Sequence, residues 1–281
     1  MLFLHYLWNI IYHAALILKK DQTGLSRNLL LVTYLKLQFK YLIFTLIFKY
    51  KLTSESIFGF KINVLDYWAF LGMFEEIFIQ KQYYFDSRNR RPLIVDCGSN
   101  IGLSVVFFKI LYPEAKIIAF EPDTITYRAF RKNILTNQLA DVKLYNYALW
   151  TSSGKANFYY SRDHPGMPKM SLIKRRLPKS SRKVDTVLLS NYINGPVDFL
   201  KIDIEGAEDK VIEELASNDK LRQVKEMVTE LHHHVDPNSD HLSKTLEILE
   251  DHKFGYQVRT NLISPFKKRT YQDILIYAYR R

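Results

Sequence analysis

Between Pro92 and Gly102 the chain reads PLIVDCGSNIG. An apolar run, Leu93 to Val95, ends at a lone acid, Asp96, and Gly98 and Gly102 come shortly after it. Beyond Gly102, apolar residues recur at Val105, Phe108, Ile110 and Leu111, a helical rather than an alternating spacing. The stretch predicts a buried strand, a tight glycine turn and a helix. Glycine lets backbone N–H groups approach a ligand closely, and the helix N-terminus behind it favours polar or anionic groups. Paired glycines also occur in such turns for steric reasons alone, so the meaning of this one depends on the pattern downstream.

That pattern is regular. Lys116 to Phe120 (KIIAF) reads as a second buried strand, with a helix from about Thr124 to Asn137. Val142 to Leu149 reads as a third strand and Gly154 to Tyr160 as a further strand or hairpin arm. A Pro- and Lys-rich loop is expected over 161–183. Val197 to Asp203 is a fourth parallel strand followed by a helix over Ala207 to Ala216. Val224 to His232 is a fifth, with a helix over Asp240 to His252 and last strands at Tyr256 to Thr260 and Ile274 to Tyr279. Strands alternating with helices mean an α/β fold with a parallel sheet wrapped by helices, and 281 residues hold one such domain plus an appendage.

In such sheets ligands sit outside the carboxyl ends of the strands. Four of these strands carry an acid towards that end: Asp96, Glu121, Asp203 and Glu230. Carboxylates lined along one sheet edge are costly without cationic or hydrogen-bonding ligands. Glu121 closes the second strand, where a carboxylate can accept both hydroxyls of a ribose, a logic shared by NAD and S-adenosylmethionine sites. The competing reading is a solvated strand-end acid.

VDCGSNIG (95–102), FEPD (120–123), NYALW (146–150), FLKIDIEGAE (199–208) and ELH (230–232), in this order and spacing, resemble the FkbM family of S-adenosylmethionine-dependent methyltransferases over roughly residues 57–260. The resemblance implies a Rossmann-like class I methyltransferase fold: a seven-stranded, mostly parallel sheet with its last strand antiparallel and helices on both faces. It also implies S-adenosyl-L-methionine as donor and methyl transfer to a hydroxyl of a sugar, glycan or other small molecule. Carried over, Asp96, Gly98, Asn100 and Gly102 would hold the methionine part of the donor. Glu121 would hold its ribose, with Pro122 and Asp123 shaping that turn. Asn146 and Ala148 would lie near the adenine, and Asp203 beside the sulfonium. On this basis 1–56 is an N-terminal apolar and basic helical segment, 57–91 a helical cap and linker, and 92–281 the methyltransferase domain.

Methyl transfer by in-line displacement is served mainly by proximity and alignment. A hydroxyl acceptor has a high pKa, so a base or a metal is expected. Asp203, Glu230 and His232 are the candidates, and Glu230 and His232, two apart on a strand, share a face. Two carboxylates and a histidine could bind a divalent cation, but the metal-free reading is preferred: Glu230 bonded to neighbouring backbone, His232 capping a strand end. His233 and His234 read as surface residues, Lys201 as structural, and Glu205 and Glu208 as acids favoured by a helix N-terminus.

The net charge of +11 is concentrated. Residues 1–60 hold seven Lys/Arg against two acids, residues 161–183 eight against one, and the rest is near neutral. Arg162, Lys174, Arg175 and Arg176 either admit an anionic acceptor or form a solvated charge run. Residues 1–18 carry no charged side chain and place His5, Asn9 and His13 in one polar stripe, which favours a packed or surface helix over a membrane span. A secretory signal would need a basic n-region and a clean cleavage site. Residues 29–50, interrupted by Lys36 and Lys40, outline a basic amphipathic helix: a domain cap, or a peripheral attachment to an anionic membrane. One cysteine, Cys97, excludes an internal disulfide and fits a reducing, cytoplasmic setting with membrane association left open.

Three other classes compete. An NAD-type oxidoreductase would leave the KIDIEG strand unexplained, and the turn lacks a full G-x-G-x-x-G. A nucleic-acid methyltransferase is encouraged by a pI near 9.4, but no Asp/Asn-Pro-Pro-aromatic segment and no separate RNA-binding module is visible. A non-enzymatic membrane-bound interaction protein would not need acid-bearing motifs on four strands. Nothing in the sequence sets the oligomeric state.

Overall fold

The computed structural model describes residues 2–19, 23–161, 169–175, 180–236, 238, 240–260 and 271–281, with the side chains of 2–5 excepted. Two helices come first, α1 (Leu2–Leu18) and α2 (Arg27–Lys40), and α2 continues as a wider π-helical segment, Tyr41–Ile47. A hairpin comes next, β1 (Ser54–Ile57) and β2 (Phe60–Asn63), straddling the expected division at residue 56. Helix α3 (Tyr67–Phe74) starts at Asp66, whose carboxylate accepts from the Ala69 N–H at 2.9 Å, and passes into a π turn at Glu75–Ile79.

The alternating part then runs β3 (Leu93–Cys97), α4 (Leu103–Leu111), β4 (Lys116–Phe120), α5 (Thr124–Thr136) and β5 (Val142–Tyr145). Three strands form a further small sheet: β6 (Ala148–Leu149), β7 (Gly154–Tyr160) and β8 (Ser180–Val187). The chain ends with β9 (Val197–Ile202), α6 (Glu208–Ser217), β10 (Val224–His233), α7 (Leu242–Asp251), β11 (Phe254–Thr260) and β12 (Gln272–Arg280).

The main sheet has seven strands in the order β11-β12-β10-β9-β3-β4-β5. All neighbours are parallel except those of β12, which is antiparallel to both β10 and β11. The chain runs outward from β3 to β5, then returns to lay β9 on the other side of β3. That reversal opens a crevice at the carboxyl ends of β3 and β9, where ligands bind in sheets of this kind.

Alternate strand residues feed two cores. Ile94, Ile117, Phe199 and Val228 pack with α3, α4, α5 and the N-terminal helices, whereas Val95, Leu200, Met227 and Ile276 pack with α6 and α7. The helical sandwich expected from the sequence is thus formed, and the N-terminal layer shares its first core.

Two expectations change. The strand expected over 142–149 breaks at Asn146, whose amide donates to the carbonyls of Glu121 (2.8 Å) and Pro122 (3.0 Å). The chain leaves the sheet there, and Ala148–Leu149 pair with β8 instead. Residues 180–183, read as loop, begin β8, which pairs with β7 from Ser180 to Thr186.

Candidate active site

The glycine turn after β3 is locked to the end of β4. The N–H groups of Gly98 and Ser99 both donate to the Phe120 carbonyl, at 3.1 and 3.0 Å. The N–H of Asn100 donates to Glu121 Oε2 at 2.9 Å, and the other oxygen of Glu121 accepts from Asp123 N–H at 2.8 Å. The turn's first amides are therefore committed to the protein, rather than held free for a ligand. Gly98 must be glycine: its φ is +82°, and a Cβ would stand 1.8 Å from the Asp203 carbonyl oxygen. Asn100, at φ +49°, takes a left-handed conformation that asparagine tolerates better than most residues, and its Oδ1 accepts from Ile101 N–H at 2.8 Å. Gly102, at φ +85°, starts α4 against the Phe130 ring.

Above this turn lies a cleft of about 890 Å³, its solvent mouth included. Gly98, Asn100, Glu121 and Pro122 form its floor. One end is apolar, built by Ala148, Leu149, Phe158, Met170 and Leu172. The other end is acidic, built by Glu76, Asp203 and Glu205 with Tyr83 and Lys201.

Asp96, Asp123, Asn146, Glu230 and His232, also singled out in the sequence, are not among the residues that line the cleft. Asp96 is fully buried; its Oδ2 accepts from Ser104 Oγ at 2.5 Å, and its Oδ1 lies 3.3 Å from Lys201 Nζ. Asp123 caps α5 through the Thr126 N–H (2.8 Å) and pairs with Arg182. Asn146 is turned to the backbone of Glu121 and Pro122. Glu230 and His232 stand on one face of β10, with metal-competent atoms close to those of Asp273. Of the basic residues, Arg175 pairs with Asp236 at 2.5 Å; Arg162 and Arg176 lie outside the described residues.

The acidic end is electrostatically loaded. Burial, together with the charges of Asp203 and Glu205, pushes the Glu76 carboxyl up to about 8. Burial and Asp203 push Glu230 well above the usual carboxylate range. Glu121, buried beside Asp96, is raised to about 8 despite its hydrogen bond from Asn100. Asp203 Oδ2 accepts from Tyr83 OH at 3.0 Å. Lys201 is buried, donates to the carbonyls of Cys97 (3.2 Å) and Gly98 (2.8 Å), and sits 5.0 Å from the centre of the Tyr83 ring. Burial opposes its charge, but Asp96 and Asp203 outweigh that and raise its pKa.

His232 is gripped on both sides. Its Nδ1 lies 2.9 Å from Glu208 and its Nε2 3.2 Å from Glu205. Burial would lower its pKa, yet the two carboxylates hold it well above the usual value. Glu208 also accepts the N–H groups of Ile204 (3.0 Å) and Gly206 (2.9 Å). An imidazolium with both nitrogens so engaged offers no lone pair to a proton or a metal. Two of the three metal-compatible groups among the described residues, Asp203–Glu208–His232 and Glu230–His232–Asp273, depend on this ring. A cation there would have to displace its contacts.

Sequence reasoning missed several of these residues. Glu76 and Tyr83 come from the segment read as cap and linker, and Lys201, read as structural, reaches the cleft. Glu205 holds His232 and takes φ +65°, a strained conformation for glutamate. His233, read as a surface residue, is buried. A signal was available for Glu76: two adjacent acids in an otherwise apolar helix must find separate partners.

The profile of the family described as Methyltransferase FkbM domain matches residues 96–258. Methyltransferase sdnD of Sordaria araneosa is 32% identical over 172 residues, half of this chain and 66% of its own length. Methyltransferase 1 of Beauveria bassiana is 27% identical over 159 residues, 49% and 64% of the two lengths. The chain thus spans just under two thirds of the length of these relatives. The 31-O-demethyl-FK506 methyltransferase FkbM of Streptomyces tacrolimicus is 25% identical over 193 residues, 57% of this chain and 74% of that one. Among solved structures, a methyltransferase FkbM from Methylobacillus flagellatus aligns with 76% of this chain and 53% of its own, at 17% identity and a TM-score of 0.47. With more than half its length matched by that profile, the chain belongs to the FkbM methyltransferase-domain family.

Proposed function

We propose that this chain is an S-adenosylmethionine-dependent O-methyltransferase whose acceptor is a neutral, hydroxyl-bearing small molecule or glycan. The observation that carries this reading is the cleft itself. Its floor joins the β3 turn to Glu121, and Asp203 stands at its acidic end, directly after the strand beside β3.

The residues fit the donor. The glycine floor admits a ligand against the backbone, the apolar end formed by Ala148 and its neighbours suits a flat base, and the remaining lone pairs of Glu121 suit ribose hydroxyls. S-adenosylmethionine, when bound, supplies an electrophilic methyl group on a positively charged sulfur. Asp203, held by Tyr83, favours that charge. Glu76 is the proton acceptor of choice for the acceptor hydroxyl: it lines the cleft, and a pKa of about 8 suits a base working near neutral pH. His232 is withdrawn from that role by Glu205 and Glu208. The carboxyl-rich end disfavours an anionic acceptor. The Streptomyces relative, whose name specifies an O-demethyl substrate, supports transfer to oxygen.

Incubating the protein with methyl-labelled donor and fractionated glycan, lipid and RNA pools tests the reading. Label is expected in a base-stable ether of a hydroxyl compound, and is lost with Asp203→Asn. Label on RNA, or none in any pool, contradicts it.

A further inference from the structure

The N-terminal helices are inside out. On α1 the exposed positions include Leu7, Trp8, Ile11, Tyr12, Ala15 and Leu18, which form one face and are all apolar or aromatic. The polar groups point inward. Tyr6 OH donates to Gln38 Oε1 at 2.7 Å, Asn9 donates to Glu75 at 3.5 Å, and buried His13 lies 3.5 Å from the same carboxylate. Helix α2 repeats the inversion. Tyr34 OH and Gln38 Nε2 donate to Glu75 at 2.9 and 3.0 Å, while Leu29, Val32, Leu35 and Phe39 face out. Lys36 and Lys40, which the sequence offered as a basic face, fold back onto Glu55 at 3.1 and 3.0 Å.

This is the reverse of a helix arranged for water. Fifteen of the nineteen large apolar side chains exposed among the described residues lie between Leu7 and Trp68. Trp8, Val32, Phe39 and Phe48 each expose more than 60% of their surface. Within Arg27–Ile47 an 18-residue window has a mean hydropathy of 1.5, yet 28% of it is buried, which is not the burial of a core helix. Soluble surfaces rarely carry apolar patches of this extent. The bonds to Glu75 and Glu55 hold both helices along the body of the protein, so they lie in an interface and do not cross it.

The charges around this face select its partner. Lys19, Arg27, Lys49 and Lys51, all exposed, sit at the helix ends. No acid occurs between Thr23 and Ser54. A second copy docked face to face would crowd these cations together; an anionic lipid surface neutralises them. Trp8, Tyr12, Tyr50 and Trp68 supply the amphipathic aromatic side chains that favour the headgroup boundary.

We infer that the outward face of α1 and α2, extended by Phe44 to Tyr50 and Trp68, is a monotopic membrane-binding surface for a bilayer containing anionic phospholipid. It is joined to the cleft through adjacent residues: Glu75 receives the inward groups of the helices, and Glu76 lines the cleft. Binding to lipid therefore holds the cleft one helical layer from the headgroups. The inference does not depend on which acceptor the cleft takes.

Flotation of the full chain with vesicles tests it, using phosphatidylcholine alone and phosphatidylcholine mixed with one third phosphatidylglycerol. The protein is expected to float with the mixed vesicles, to stay largely bound in high salt, and to bind phosphatidylcholine alone less well. The triple variant Trp8→Gln, Ile11→Gln, Phe39→Gln touches only exposed positions, and should retain its thermal transition while losing binding by about a hundredfold or more. Wild-type protein left in the unbound fraction with both vesicles overturns the inference. So does a triple variant that floats as well as wild type, or a lipid-free dimer that the triple variant dissociates.

Discussion

The floor and the acidic end of the cleft are built on opposite principles. On the floor most polar groups have a partner: the amides of Gly98, Ser99 and Asn100 bond to β4 and Glu121, and Asp96 accepts from Ser104 and forms an ion pair with Lys201. At the acidic end Glu76, Asp203, Glu205 and Glu230 crowd together, and two of them are raised by burial and by one another. The two halves divide the labour. The floor is rigid and belongs to the region the family shares, 96–258. The acidic end adds Glu76 and Tyr83, from outside that region, to Asp203, Glu205 and Glu230 within it.

Damage to the floor should be the most severe. Gly98→Ala forces a Cβ into the Asp203 carbonyl at a left-handed φ, and a loss of about 3 kcal/mol or more is expected, with donor binding abolished. Thermal denaturation checks this, and a variant of wild-type stability would break the contrast. Lys201→Met leaves Asp96 buried without its cation, which costs about 3–5 kcal/mol. Its unfolding midpoint in urea should fall accordingly.

At the acidic end the effect should appear in pH dependence. Glu76 and Glu121 have folded pKa values near 8, above that of an unfolded glutamate, and His232 is raised as well. Raised groups contribute stability that is complete below the unfolded pKa and is lost as pH rises through the folded one. Stability should therefore fall between about pH 4.5 and pH 8 for the two glutamates. Glu76→Gln should flatten that slope without lowering stability at pH 8, while abolishing the rise in methyl transfer through about pH 8. Urea midpoints and initial rates across that range check both signs. A Glu76→Gln enzyme with an unchanged profile would remove Glu76 as the base.

How much of this the sequence shows differs along the same line. The floor is legible because it is local: an apolar run, Asp96, two glycines and Asn100 define strand, turn and helix within eleven residues. The order of the sheet is set by alternation and the handedness of its crossovers. The acidic end is assembled from residues far apart in sequence, and Glu75 and Glu76 look alike until a π turn sends one to the N-terminal helices and the other to the cleft. Strand β8 hides in a charged run with only Val184 and Thr186 buried. Periodicity also gives α1 two faces without saying which is inward. There the half-buried partner, Glu75, decides against the usual rule.

Glu121→Gln offers the mildest contrast, since glutamine keeps an acceptor for the Asn100 N–H but loses one carboxylate oxygen. Isothermal titration of the full chain with S-adenosylhomocysteine tests the central claim most directly. One site per chain is expected for wild type, and about tenfold weaker binding for Glu121→Gln, whose amide would also face the Asp123 N–H that a carboxylate oxygen now accepts and so lower the melting temperature. Absence of binding to the wild type, or equal affinity in the variant, would contradict a donor seated on the floor of this cleft.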